Sequence, residues 1–123
     1  MISEDYINFD IAKLLKEKGF DENCSRSYVK DKLAVSQGFN NSYYTTMYSD
    51  VSYRPISAPT IQMAMKYLRE VHHIFIRVIQ SHIEYCACEI YYNRGRFYEF
   101  RESFNSYEQA CESAIKYCLE NLI

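Results

Sequence analysis

The residues best suited to chemistry stand close together near the middle of the chain. They are His82, Cys86 and Cys88, in the run "HIEYCACEIYYNRGRFYEF" that covers 82–100. An imidazole and two thiols are competent zinc ligands, so the first question is whether their spacing lets them share an ion. The run alternates like a strand, where residues i and i+2 stand about 6.7 Å apart with parallel side chains. Two sulfurs on one zinc need to approach to roughly 3.8 Å, given tetrahedral angles and zinc–sulfur bonds near 2.3 Å. A C-x-C pair on a flat strand fits that poorly, and His82 falls in the adjoining turn. The thiols read instead as small hydrophobes facing a core. No metal and no cofactor is assigned.

The second candidate constellation depends on strand register. Three strands are expected, at about 73–79, 83–92 and 96–102. Asn93-Arg94-Gly95 suits a three-residue hairpin loop with glycine in the left-handed third position, which pairs Tyr92 with Arg96, Ile90 with Tyr98 and Cys88 with Phe100. A second three-residue loop at Gln80-Ser81-His82 pairs Val78 with Glu84, Ile76 with Cys86 and Ile74 with Cys88. Both choices gather Ile74, Ile76, Val78, Cys86, Cys88, Ile90, Tyr98 and Phe100 on one face, and a one-residue slip would scatter them.

The opposite face then carries His73, Phe75, Tyr85, Glu89, Tyr91, Phe97 and Glu99, with Arg77, Ile79, Ala87 and Arg101. His73, Glu89 and Glu99 form a row across the strands in this register. Opposed carboxylates destabilise a strand pair, so the row is either an acid/base or cation-binding cluster or a solvated row neutralised by its cationic neighbours. The second reading is the expectation, because surface carboxylates rarely do chemistry. The aromatic residues make this face too apolar to stand bare, so a partner or the N-terminal half is expected to cover it.

Helices must position that sheet. Asn8 is a helix N-cap, Ile11, Leu14 and Leu15 form an apolar stripe, and Gly19 stands where a left-handed residue ends the helix, with Phe20 folding back on Leu15. A helix over 8–18 follows. In "PTIQMAMKYLREVHH", Pro59 opens a helix whose buried face is Ile61, Ala64, Met65, Leu68 and Val71, ending near His72 and His73. Imidazoles there complement the helix dipole. Ser106 and Gln109 match a capping box, and Ala110, Cys111, Ala114, Ile115, Cys118, Leu119 and Leu122 follow a helical period.

Residues 24–35 read as one or two short extended pieces around Lys30-Asp31-Lys32. From 36 to 57 the chain is rich in Ser, Asn, Thr and Tyr, with a short strand suggested at Tyr43–Tyr48. It is expected to be a long irregular connection that serves recognition or is mobile. The fold expected is α+β: a three-stranded antiparallel meander packed with two helices (α-β-β-β-α over 59–122), preceded by a helix and short extended pieces, all in one domain spanning 1–123.

Composition narrows the function. The 123 residues are 48% hydrophobic and 24% charged, and the net charge of −2 is spread evenly over the two halves of the chain. Without a basic arm or face, nucleic acid is disfavoured as a partner. No apolar run reaches the roughly 20 residues of a membrane helix, and "MISEDYINFD" lacks the pattern of a signal peptide. Five irregularly spaced cysteines suit reduced thiols, so a cytoplasmic location is expected. Thirteen tyrosines and seven phenylalanines suit half-buried sheet positions or a binding surface.

The phrases "FDIAKLLKEKGFDE", "SAPTIQMAMKYLREVH" and "SYEQACESAIKYCLENLI" resemble those of small uncharacterised proteins from gut Bacteroidales and their phages. The resemblance covers both ends and the middle of the chain; 26–55 and the sheet are much less distinctive. It implies a cytoplasmic protein of phage or prophage origin and transfers no activity, cofactor or site residue.

The order helix, three strands, helix also resembles double-stranded-RNA-binding domains, which place lysines at the start of the last helix. Here that start reads Ser106-Tyr107-Glu108-Gln109-Ala110-Cys111-Glu112, where the acidic residues would repel phosphate. Three scattered glycines exclude the common phosphate loops, and no hydrolase or zinc-protease motif occurs. The chain reads as a protein-interaction module rather than an enzyme, binding another protein or itself through His73, Phe75, Tyr85, Glu89, Tyr91, Phe97 and Glu99.

Overall fold

The computed structural model describes residues 2–35, 55–82, 85–100 and 104–123. Most of the segment expected to be an irregular connection, with the strand suggested at Tyr43–Tyr48, lies outside the described residues, as does Arg101. Among the described residues the fold is mixed α+β, with three helices and two antiparallel three-stranded sheets. The chain divides into two compact units, one of Tyr6–Thr60 and one of Met1–Asp5 with Ile61–Ile123.

The Tyr6–Thr60 unit begins with α1 (Phe9–Glu17). The Asn8 side chain accepts the Ile11 N–H at 2.9 Å, which satisfies one of the helix's orphan donors. At the other end Gly19 takes φ +97°, the Phe20 N–H donates to the Leu15 carbonyl at 2.9 Å, and the Gly19 N–H donates to that of Lys16 at 3.1 Å. That pair of bonds is the Schellman ending read from the sequence, and both Leu15 and Phe20 are buried.

The same unit's sheet has the order β2-β1-β3, with β1 at Arg26–Val29, β2 at Lys32–Val35 and β3 at Ile56–Ser57. Val29 pairs with Lys32, so the extended pieces around Lys30 form a hairpin with a two-residue loop, and Lys30 adopts a left-handed φ of 60°. The Tyr28 hydroxyl donates to the Ile7 carbonyl at 2.7 Å, and its ring meets Phe9 edge-on at 5.4 Å.

The other unit runs α2 (Ile61–Val71), β4 (Phe75–His82), β5 (Tyr85–Tyr92), β6 (Arg96–Phe100) and α3 (Tyr107–Asn121). Pro59 lies ahead of α2 rather than in its first turn: its carbonyl accepts the Ile7 N–H, and the helix opens at Ile61. Ile61, Ala64, Met65 and Leu68 are buried as the stripe requires, but Val71 is exposed because the helix ends there. On α3 the Ser106 hydroxyl accepts the Gln109 N–H at 3.1 Å, while the Gln109 side chain reaches past the cap to the Asn105 N–H at 2.9 Å. Its stripe from Ala110 to Leu119 is buried throughout. Both helices pack on β4 and on each other, and α3 also packs on β5.

The three strands form a meander in the order β4-β5-β6. The β5–β6 register is the expected one, with Tyr92 opposite Arg96, Ile90 opposite Tyr98 and Cys88 opposite Phe100. Its loop differs in detail: Asn93 and Arg94 are left-handed as well as Gly95, the hand that matches strand twist.

The β4–β5 register is corrected by four residues. Ile76 pairs with Ile90 and Val78 with Cys88, and β4 continues to His82, which pairs with Tyr85. An irregularity between Gln80 and His82 absorbs the odd residue, so there is no loop at Gln80-Ser81-His82. Four is an even number, so the two faces keep their membership. Ile74, Cys86, Cys88 and Ile90 are all buried on the inner one.

Candidate functional site

The outward face of β4-β5-β6 is built from two adjacent rows. In the first, Phe75 lies opposite Tyr91 and Tyr91 opposite Phe97. The Tyr91 and Phe97 rings sit 5.1 Å apart and tilted by 45°, a favourable aromatic approach. Phe75 is 50% exposed, Tyr91 38% and Phe97 48%, so the whole row is open to contact. Period-two alternation places all three on the side opposite Cys88 and Ile90.

In the second row Arg77 lies opposite Glu89, and Glu89 opposite Glu99. The corrected β4–β5 register therefore removes the His73–Glu89–Glu99 cluster. Glu89 faces Glu99 as expected, but its partner on β4 is Arg77, whose Nη1 is 3.7 Å from Glu89 Oε1. The other carboxylate oxygen accepts the Tyr91 hydroxyl at 2.9 Å. That hydrogen bond raises the Tyr91 pKa, with burial adding to it. Glu89 is thus held from two sides and stitches the charged row to the aromatic one. The guanidinium is well exposed, so the ion pair contributes little to stability.

His73 lies beyond the start of β4, in a different setting. It takes φ +56° directly after α2, where the His72 and Ile74 N–H groups both donate to the Leu68 carbonyl at 3.1 and 3.0 Å. It is the left-handed residue that turns the helix into the strand, a place histidine tolerates better than most side chains. With His72, Phe75, Asn93 and Arg94 it lines a cleft of about 570 Å³ at the end of the aromatic row. The Tyr67 hydroxyl lies 3.2 Å from His72 Nε2, and the two rings meet edge-on at 5.2 Å. Burial, and secondarily the neighbouring His73, lower the His72 pKa.

Of the residues expected on this face, Phe75, Glu89, Tyr91 and Phe97 are brought together, and Glu99 joins them by register. Tyr85 opens β5 opposite His82, at the far end of the strand. Arg77, His72, Asn93 and Arg94 were not among the expected site residues. Alternation already placed Arg77 on this face, but only the register sets it opposite Glu89, and the signal for Arg94 was its place in the hairpin loop.

The thiols that opened the question face inward. All five cysteines are buried, and Cys88 Sγ donates to the Ala110 carbonyl of α3 at 3.2 Å. Burial pushes the Cys88 and Cys118 thiols up to about 12 and those of Cys24 and Cys111 up to about 11. Thiols so held are poor nucleophiles at neutral pH. Among the described residues no group of three metal-ligating side chains comes together. No helix among them is long and apolar enough to cross a membrane.

Neither a family model, nor a curated protein, nor a solved structure matches this chain.

Proposed function

We propose that the protein is a small cytoplasmic interaction module, of phage or prophage origin as the sequence resemblance implies, that binds another protein chain or a second copy of itself. The exposed Phe75–Tyr91–Phe97 row is the observation that supports this reading. Three half-open rings in register, bordered by Arg77 and Glu89, have the make-up of a recognition patch: aromatic anchors with a polar, orienting rim. The acid/base alternative loses its support once Arg77 stands where His73 was expected. The RNA alternative keeps the order helix, three strands, helix, yet Glu108 and Glu112 still mark the start of α3, where phosphate would have to dock.

The test is association of the intact chain, followed by light scattering over a wide concentration range and by capture of interacting proteins. Phe75→Ser and Phe97→Ser should each weaken association while leaving the thermal midpoint nearly unchanged. A strict monomer that retains no protein sinks the proposal. So does association that survives both substitutions.

A further inference from the structure

Four non-glycine residues among those described have a left-handed backbone, and three of them line one cleft. Lys30 stands apart in the β1–β2 loop. His73 (φ 56°), Asn93 (46°) and Arg94 (55°) gather with His72 and Phe75 around the space of about 570 Å³ described above. Each has a local reason for its conformation, since His73 ends a helix and Asn93 and Arg94 turn a hairpin. Neither role calls for a bulky cationic side chain. Glycine would take the Arg94 conformation without steric cost, and an asparagine-glycine pair is the favoured filling of such a turn. An arginine held in a conformation it disfavours, at the lip of a cleft, is the kind of local strain that accompanies a ligand clamp.

The chemistry of the lining points to the ligand. The guanidinium of Arg94 only donates hydrogen bonds, and its planar fork matches a phosphate or carboxylate. Asn93 contributes a carboxamide, His72 and His73 two imidazoles, and Phe75 a half-exposed ring. None of the described lining residues is acidic. The carbonyl end of α2 brings some negative potential to the same edge, and His72 is held toward its neutral form, so among the described lining residues Arg94 supplies the fixed positive charge. The volume falls within the range of small-molecule sites.

We infer that this cleft binds a small organic oxyanion that also carries a flat ring. The oxyanion lies against Arg94 and Asn93, and the ring lies on Phe75. A nucleoside monophosphate and an aromatic carboxylate share that chemistry. The inference does not rest on the interaction-module reading, because the cleft can be filled whether or not the aromatic row meets a protein.

The experiment is a calorimetric and NMR titration of the intact protein, in buffer free of phosphate, with uridine monophosphate, uridine, inorganic phosphate and benzoate. Saturable one-to-one binding of uridine monophosphate, about tenfold or more tighter than either uridine or phosphate, supports the site. If benzoate binds tighter than uridine monophosphate, the site is assigned to carboxylates; the reverse order assigns it to phosphate esters. Arg94→Gly should abolish binding of the anions while raising the thermal midpoint by a few degrees, because it removes the guanidinium and relieves the turn together. Phe75→Leu should erase the advantage of the ring-bearing anions over inorganic phosphate. Absence of saturable binding by any probe up to on the order of 10 mM overturns the inference, as does native affinity in Arg94→Gly.

Discussion

The two faces of the β4-β5-β6 sheet share the same strands and the same pleat, yet they differ in chemistry. The inner face presents Ile90, Cys86 and Cys88, all buried, to the helices. The outer face presents Phe75, Tyr91 and Phe97 beside the Arg77–Glu89 pair and is open. Aliphatic side chains carry no hydrogen-bonding demand and thiols only a weak one, so both suit a packed layer. A tyrosine or a charged pair keeps a polar end that must reach water or a partner, so it suits a surface that makes and breaks contacts. The difference is one of burial: one side is packed into the fold, and the other leaves its aromatic rings half in water.

Substitutions on the two sides should therefore behave differently. Ile90→Ala, at a fully buried position, should lower unfolding free energy by about 2–5 kcal/mol, measured by denaturant titration. A cost below about 1 kcal/mol would show that the inner face is not the packed one.

Next in size is the alkaline limb of stability. The native fold holds four thiols protonated, with pKa values of about 11 to 12, that the unfolded chain releases at the ordinary thiol value. The stability they contribute is whole below that ordinary value and is lost as pH climbs through it toward 11 and 12. Denaturation curves at stepped pH should show the midpoint falling from about pH 8.5 upward, less steeply in Cys118→Ala. In the same frame, a thiol reagent at neutral pH should modify the folded protein slowly and the denatured protein at once.

On the outer side, Phe97→Ser should change stability by less than about 1 kcal/mol, because half of the ring is already in water. Tyr91→Phe, which removes the hydroxyl from Glu89, should cost no more than about 1 kcal/mol. A larger loss in either would place the aromatic row in the fold's own framework and blur the contrast between the sides.

The smallest effect concerns His72. Its pKa is lowered in the fold, so the unfolded chain takes up a proton first as pH falls below the ordinary histidine value. That part of the stability is present above about pH 6.5 and declines as the solution is acidified, until the native imidazole also protonates. His72→Gln should flatten the decline slightly, and an unchanged slope would remove His72 from the balance.

Legibility in the sequence varied from element to element for identifiable reasons. The ends of α1 were readable because Asn8 and Gly19 act on their immediate neighbours, within one helical turn. The β5–β6 hairpin was readable because Gly95 marks its loop. The β4–β5 connection has no such mark: Gln80, Ser81 and His82 are as acceptable in a strand as in a turn, and the strand simply continued through them. The candidate site depended on that connection, so His73 was expected in a row that Arg77 occupies, and the cleft formed with Asn93 and Arg94 went unseen.

By itself the sequence determined which side chains share a face. Alternation is a local property, and a slip of one residue would have scattered the aliphatic side chains and thiols over both faces at a large cost in buried area. A slip of four leaves that burial unchanged, so nothing in the pattern chose between the two alignments. Only the tertiary structure made the choice, through the irregularity after Gln80 and the left-handed turn at His73 that sets where β4 begins. Which residue faces which across a sheet is a long-range matter, and here it decides which side chains stand together on the outer face.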